Sequence, residues 1–107
     1  MSASITIRPA RVGDVEQMHH LINDAAEFGL MLPKPMPALY ENVREFQVAT
    51  PADSHDQVIG VCGLSIIWAN LAEVCSLVVD PHHRGHGLGG KLVQACLDEA
   101  HTLRIPR

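Results

Sequence analysis

Long apolar runs are missing from this chain. No stretch approaches the roughly 18 consecutive apolar residues of a membrane-spanning helix, so no membrane partner is expected. Aromatic residues are scarce, with two Phe, one Trp and one Tyr in 107 residues. The core must therefore be aliphatic. Basic residues are outnumbered, eight Lys and Arg against twelve Asp and Glu, for a net charge of −4. No basic stripe interleaved with aromatics occurs, which excludes an ordinary nucleic-acid binder. The three cysteines, Cys62, Cys75 and Cys96, are odd in number and widely spaced. That pattern excludes a disulfide framework and reads as buried, reduced thiols. A catalytic cysteine is the alternative. Met1-Ser2-Ala3-Ser4 shows no basic region leading into an apolar stretch, so no signal peptide is expected. A cytoplasmic location is the expectation.

Hydrophobic residues nonetheless make up 47% of the chain, enough to fold. A chain this long reads as one domain, 1–107, with one modest core. Ile5–Arg8 alternates as a short strand. Asp14 is a candidate N-cap, and Val15, Met18, Leu21, Ile22, Ala25 and Ala26 recur at helical spacing up to Gly29. Leu30 to Pro37 is irregular because its three prolines remove donors. Pro37 suits the first turn of a second helix through Leu39, Tyr40, Val43 and Phe46. Phe46–Thr50 reads as a second strand and Pro51–Gln57 as a hairpin loop. Val58–Trp68 is a third strand whose Gly60 and Gly63 signal a bulge or a close backbone approach. Ala69-Asn70 turns into a fourth strand, Leu71–Val79. A third helix runs from Gly87 to about Leu103, packing Leu88, Leu92, Val93, Ala95, Cys96, Leu97 and Ala100. Tyr40 and Trp68 read as packing residues. The order is strand, helix, helix, three antiparallel strands, helix: an α/β chain of the α+β type.

The most informative segment is Val78-Val79-Asp80-Pro81-His82-His83-Arg84-Gly85-His86-Gly87-Leu88-Gly89-Gly90-Lys91-Leu92. A strand runs through a glycine-rich loop into a helix. Such a loop aims backbone N–H groups and the positive end of the helix dipole at one spot, which makes an anion site. Three patterns compete. The P-loop pattern fails because Leu92 stands where a Ser or Thr should follow Lys91. The dinucleotide pattern Gly85-x-Gly87-x-x-Gly90 lacks an acidic residue about 20 positions on, at the end of another strand. The acyl-CoA pyrophosphate pattern, Arg84-x-x-Gly87-x-Gly89, passes both tests. A glycine-rich turn without a ligand is the bland alternative. His82, His83 and His86 lack a fourth partner and helical spacing, so no metal is expected.

The loop and the element order resemble the GNAT superfamily of acyl-CoA N-acyltransferases. Softer matches resemble its amino-acid N-acetyltransferase group, which makes N-acetylglutamate for arginine synthesis. They are Ile7-Arg8-Pro9-Ala10, Gly29-Leu30-Met31-Leu32-Pro33-Lys34, Leu39-Tyr40-Glu41-Asn42-Val43 with Phe46, and Leu71-Ala72-Glu73-Val74. This resemblance implies acetyl-CoA as cosubstrate and a small amino acid, glutamate or glutamine, as acceptor. It implies cofactor contacts from Leu77, Val78 and Val79, with one free N–H at a strand bulge polarising the thioester carbonyl. It also implies contacts from Arg84, Gly85, His86, Gly87, Leu88, Gly89 and Gly90.

Glu73 is then the candidate general base, acting through a water. The alternative is a solvated strand residue or an edge charge that blocks aggregation. Lys34 is the candidate ligand of a substrate carboxylate, with Arg8 assisting. Each has the alternative of an exposed charge. The resemblance spans only the first two thirds of the family's domain, so the expected fold is partial. The fifth strand and further helix expected near Leu103-Arg104-Ile105, and the general acid they supply, do not follow here. The fourth strand is then expected to expose an edge that could pair with a second copy. An inactive fragment that binds CoA or self-associates is the competing functional expectation.

Overall fold

A computed structural model describes residues 4–29, 33–85 and 87–106. Four strands, β1 (Ile5–Pro9), β2 (Phe46–Pro51), β3 (Gly60–Trp68) and β4 (Leu71–Val79), form one antiparallel sheet in the order β1-β2-β3-β4. Helices α1 (Val15–Glu27) and α2 (Met36–Glu41) cover one face, and α3 (Leu88–Thr102) covers the other. The expected element order is present.

Strand alternation divides the core between the two faces. Phe46 and Val48 of β2, Val61 of β3 and Val78 of β4 join Met18, Ile22 and Leu39 on the α1–α2 side. Ala49, Cys62 and Leu64 join Leu88, Leu92 and Cys96 on the α3 side. Each fully buried aliphatic side chain contributes roughly 2 kcal/mol by leaving water. Two glycines let these layers close. A Cβ on Gly60 would lie 2.9 Å from Leu92 Cδ1, and one on Gly63 would lie 2.8 Å from Phe46 Cε1. The expected close approach is thus a packing requirement.

Helix ends follow ordinary capping chemistry. Gly29, at φ +74, takes the left-handed turn after α1. Pro37 sits in the first turn of α2, where its missing N–H costs nothing. Beyond α3, Ile105 N–H reaches the Ala100 carbonyl, with Arg104 left-handed at φ 61. This is a Schellman closure with arginine in the usual glycine place.

Several expectations need correction. The second helix stops at Glu41; a 3-10 turn, Val43–Glu45, follows, and Phe46 opens β2. Val58 and Ile59 are buried but precede β3. The Asp14 side chain does not cap α1, because its carboxylate accepts from Arg8 and from the Arg11 amide. Tyr40, Trp68 and Leu97 do not pack in the core; they are 42%, 72% and 48% exposed. Leu30 to Leu32 lie outside the described residues.

Candidate active site

The site begins with a fault in β4. Val61 pairs with Val78 and Gly63 with Cys75, so Cys62 alone faces both Ser76 and Leu77. The extra residue is a bulge, and Ser76 adopts a left-handed φ of 55 to make it. A bulge flips the side-chain alternation beyond it. Ala72 and Val74 pack toward α3 before the fault, and Val79 packs there after it, while Val78 turns to the α1–α2 side. Leu77, 41% exposed, is thereby released into a cleft.

That cleft is about 420 Å³ and is lined by Leu77, Val78, Val79, Arg84, Gly85, Gly87, Leu88, Gly89 and, from α1, Ala25. Eight of these nine residues are ones the sequence singled out. Gly90 is in the first turn of α3 but does not line the cleft, and His86 lies outside the described residues. Ala25 was not foreseen, because only packing brings α1 beside β4.

The loop is shaped by local hydrogen bonds. Asp80 accepts from the His82 amide at 2.9 Å, and the His83 amide donates to the Asp80 carbonyl at 2.8 Å, making a 3-10 turn, Pro81–His83. Gly85 (φ +88) and Gly87 (φ +71) then take conformations that L side chains resist. The first bond closing α3 runs from the Lys91 amide to the Gly87 carbonyl. The N–H groups of Leu88, Gly89 and Gly90 precede it at the helix start, where no intrahelical acceptor exists. They join the helix dipole at the cleft mouth. Arg84 Nε donates to the Val79 carbonyl at 3.4 Å, which leaves the terminal guanidinium nitrogens exposed. Free amides, a guanidinium and glycines without Cβ together suit a phosphate group.

The candidate acceptor residues lie on the other face of β4. Alternation puts Glu73 and Cys75 opposite Ala72 and Val74, on the α1–α2 side. Burial pushes the Cys75 thiol up, Ser76 and the Lys34 charge oppose that push, and Glu45 and Glu73 add to it. Lys34 and Glu73 therefore act electrostatically on one atom, although they are far apart in sequence. The Lys34 carbonyl accepts from Asn23 Nδ2 at 3.0 Å, tying its loop to α1. Sequence reading missed Asn23; its only signal was a polar residue inside an amphipathic helix.

Arg8 is committed elsewhere. Its guanidinium donates twice to Asp14, at 2.7 and 2.9 Å, and once to the His55 carbonyl at 2.9 Å. Burial alone would raise the Asp14 carboxyl, but the Arg8 hydrogen bond, the Arg11 amide and the charges of both arginines outweigh it and hold the carboxyl below its usual range. Arg8 thus holds a carboxylate of its own chain. A substrate carboxylate would have to displace that pairing to engage Arg8.

Among the described residues no group of three His, Cys, Asp or Glu side chains is placed to hold a metal ion. Nor is any helix long and apolar enough to cross a membrane.

Comparison with known proteins agrees with this geometry. Residues 15–107 match the Acetyltransferase (GNAT) family. The amino-acid acetyltransferase of Mycobacterium tuberculosis is 36% identical over 101 residues, which cover 94% of this chain and 58% of that protein. A crystal structure from Mycobacterium tuberculosis, in complex with CoA and a second ligand, superposes with a TM-score of 0.88 at 35% identity, over 94% of this chain and 60% of that one. N-acetylglutamate synthase from Neisseria gonorrhoeae, complexed with coenzyme A and N-acetyl-glutamate, superposes with a TM-score of 0.88 at 25% identity, over 98% of this chain and 24% of that one. The chain therefore spans less than two thirds of the length of these relatives. It belongs to the acetyltransferase (GNAT) family.

Proposed function

We propose that this member of the GNAT family carries the acetyl-CoA site of an amino-acid N-acetyltransferase, with glutamate or glutamine as the acceptor. One observation carries the reading: a single cleft runs from the β4 bulge to the free amides at the start of α3. A nucleotide pyrophosphate suits the loop amides and Arg84. A pantetheine arm suits the backbone of Leu77, Val78 and Val79. A bulge amide there would polarise the thioester carbonyl. Glu73 takes the amine's proton through a water, and Lys34 holds the acceptor's carboxylate. In the transfer a C–N bond forms, the C–S bond breaks, and the thiol leaves. The CoA complexes of the two solved relatives support this reading, as does the name of the 36% identical amino-acid acetyltransferase of Mycobacterium tuberculosis.

The test begins with a thermal melt in acetyl-CoA. At about 100 times its dissociation constant a native-state ligand adds roughly 2.7 kcal/mol, on the order of 10 °C for a domain of this size. Arg84→Ala should shrink that shift. Thiol release with L-glutamate or L-glutamine follows, and Glu73→Gln should abolish it while keeping the shift. A cooperative melt that acetyl-CoA does not move would overturn the reading. Binding without turnover would instead favour a CoA-binding module. Among the described residues β4 has no strand on its outer side, which supports pairing between copies. Sedimentation across a concentration series tests that pairing.

A further inference from the structure

Among the described residues three buried side-chain polar atoms have no hydrogen-bond partner: Arg8 Nε, Thr50 Oγ1 and His83 Nδ1. Buried polar atoms are ordinarily satisfied, so each asks for a reason. Arg8 and Thr50 belong to β1 and β2 and line no part of the β4 cleft. His83 differs, because it stands in the loop between two cleft-lining residues, Val79 and Arg84. The turn over Asp80–His83 therefore sets their spacing. Asp80 anchors that turn. Its amide donates to the Ile59 carbonyl at 2.8 Å, and its Oδ1 accepts from the His82 amide at 2.9 Å. Its Oδ2 lies 3.8 Å from His83 Nδ1, roughly 1 Å beyond a hydrogen bond.

A bare ring nitrogen facing a carboxylate is repelled by it, whereas a ring N–H is attracted. The partner of each nitrogen decides where the proton sits. Asp80 thus favours the proton on Nδ1, and a second proton on the ring turns the contact into a stronger, shorter charged one. We propose, resting on the acetyl-CoA reading of the cleft, that His83 is a positioning residue: its Nδ1–H closes onto Asp80 Oδ2, fixes the spacing of Val79 and Arg84, and makes acetyl-CoA bind more tightly as pH falls. His83 does not line the cleft, so it acts through the turn and not by touching the ligand. Histidine changes charge between about pH 5 and 8. Its protonation adds positive charge behind an anion site, so affinity rises toward acid pH. Of the other charged or titrating groups, His82 and Arg84 share the loop, Glu16 and His20 of α1 line a hollow with Asp80, and Lys91 in the first turn of α3 is exposed.

The test has two arms, both on the full chain. Nitrogen-15 NMR of the histidine rings, without acetyl-CoA, reads the tautomer. The neutral His83 ring should carry its proton on Nδ1, and a proton on Nε2 would overturn the proposal. Calorimetry then measures acetyl-CoA affinity at about pH 6 and about pH 8 for the wild type, His83→Asn and His83→Ala. Asparagine keeps an N–H near the place of Nδ1 but does not titrate. The phosphates of acetyl-CoA and every other titrating group are common to all three chains and cancel in their ratios. Toward acid pH the wild type should gain about fivefold over His83→Asn, the size expected of one partly screened charge. His83→Ala loses the donor and should bind about fivefold more weakly than His83→Asn at both pH values. His20→Gln removes the α1 imidazole beside Asp80 and should leave the pH course intact; its disappearance there would assign the effect to His20 and overturn the proposal. Alanine matching asparagine, or one pH course shared by all the chains, overturns this inference alone. A wild type that binds no acetyl-CoA at either pH overturns the acetyl-CoA reading with it.

Discussion

Gly63→Ala is the perturbation that best probes how the sheet supports the cleft. The added methyl carbon would sit 2.8 Å from Phe46 Cε1, 3.1 Å from Phe46 Cδ1 and 3.1 Å from Cys75 Sγ. None of these is the loose end of a flexible chain. The Phe46 ring is 3% exposed and fixed in the core, and Cys75 is held in the ladder opposite Gly63. Alanine regains about 0.5–1 kcal/mol of backbone entropy in a strand, while overpacking costs about 1–3 kcal/mol. The net loss is on the order of 1–2 kcal/mol. For a domain of this size that lowers Tm by about 5–10 °C. Urea unfolding and calorimetry would measure it. Cys75 adjoins Ser76, so the same push reaches the bulge, and acetyl-CoA affinity should fall with stability. Phe46→Leu in the same chain makes room for the methyl. The double-mutant cycle should show a favourable coupling of about 1 kcal/mol. An unchanged or raised Tm for Gly63→Ala, or strict additivity with Phe46→Leu, would refute the close approach.

Four further outcomes are expected. Asp14 titrates below its unfolded value of about 3.9, so its contribution is present above that pH and fades as pH falls through the lowered native value. Urea midpoints should drop over that acid range in the wild type and less steeply in Asp14→Asn, and an equal slope would count against the pair. Arg8→Ala at neutral pH leaves the Asp14 charge buried and should cost about 3 kcal/mol in urea unfolding. Arg104→Gly removes a left-handed arginine from the α3 closure and should raise stability by about 0.5–1 kcal/mol, with a destabilised variant contradicting the assigned φ. Thiol labelling should modify one cysteine slowly, and faster as pH rises. That cysteine is Cys75, half-buried and pushed up by burial, whereas Cys62 and Cys96, both 0% exposed, should react only on unfolding.

What the sequence reveals here is chemistry that the backbone writes locally. The cleft-lining loop was legible because Gly85 and Gly87 are the residues that positive φ demands, and because Pro81 and Arg84 sit within one turn of them. The Ser76 bulge was legible only through the resemblance, since its left-handed residue is not a glycine. Exposure was read badly at Tyr40, Trp68 and Leu97, because apolar character says nothing of what packs above a residue. The second helix was read too long for a related reason. Val43 and Phe46 continue the helical spacing, but Phe46 is claimed by β2, where its ring fills the space over Gly63.

Arg8 is paired through a contact six residues away, with Asp14. That pairing could have been suspected from an acidic residue just past a strand that carries an arginine. The two parts of the candidate site thus differ in kind. The proposed phosphate cradle is one continuous segment whose geometry its own glycines dictate. The proposed acceptor side would form where the loop holding Lys34, tied to α1 by Asn23, meets the far face of β4 carrying Glu73 and Cys75. No local pattern encodes that meeting. It follows that substitutions in the loop should act on nucleotide binding directly, whereas Asn23→Ala should act on acceptor use by freeing Lys34. A steady-state comparison that finds a raised acceptor KM with acetyl-CoA affinity unchanged would show that division, and a loss of acetyl-CoA affinity instead would break it.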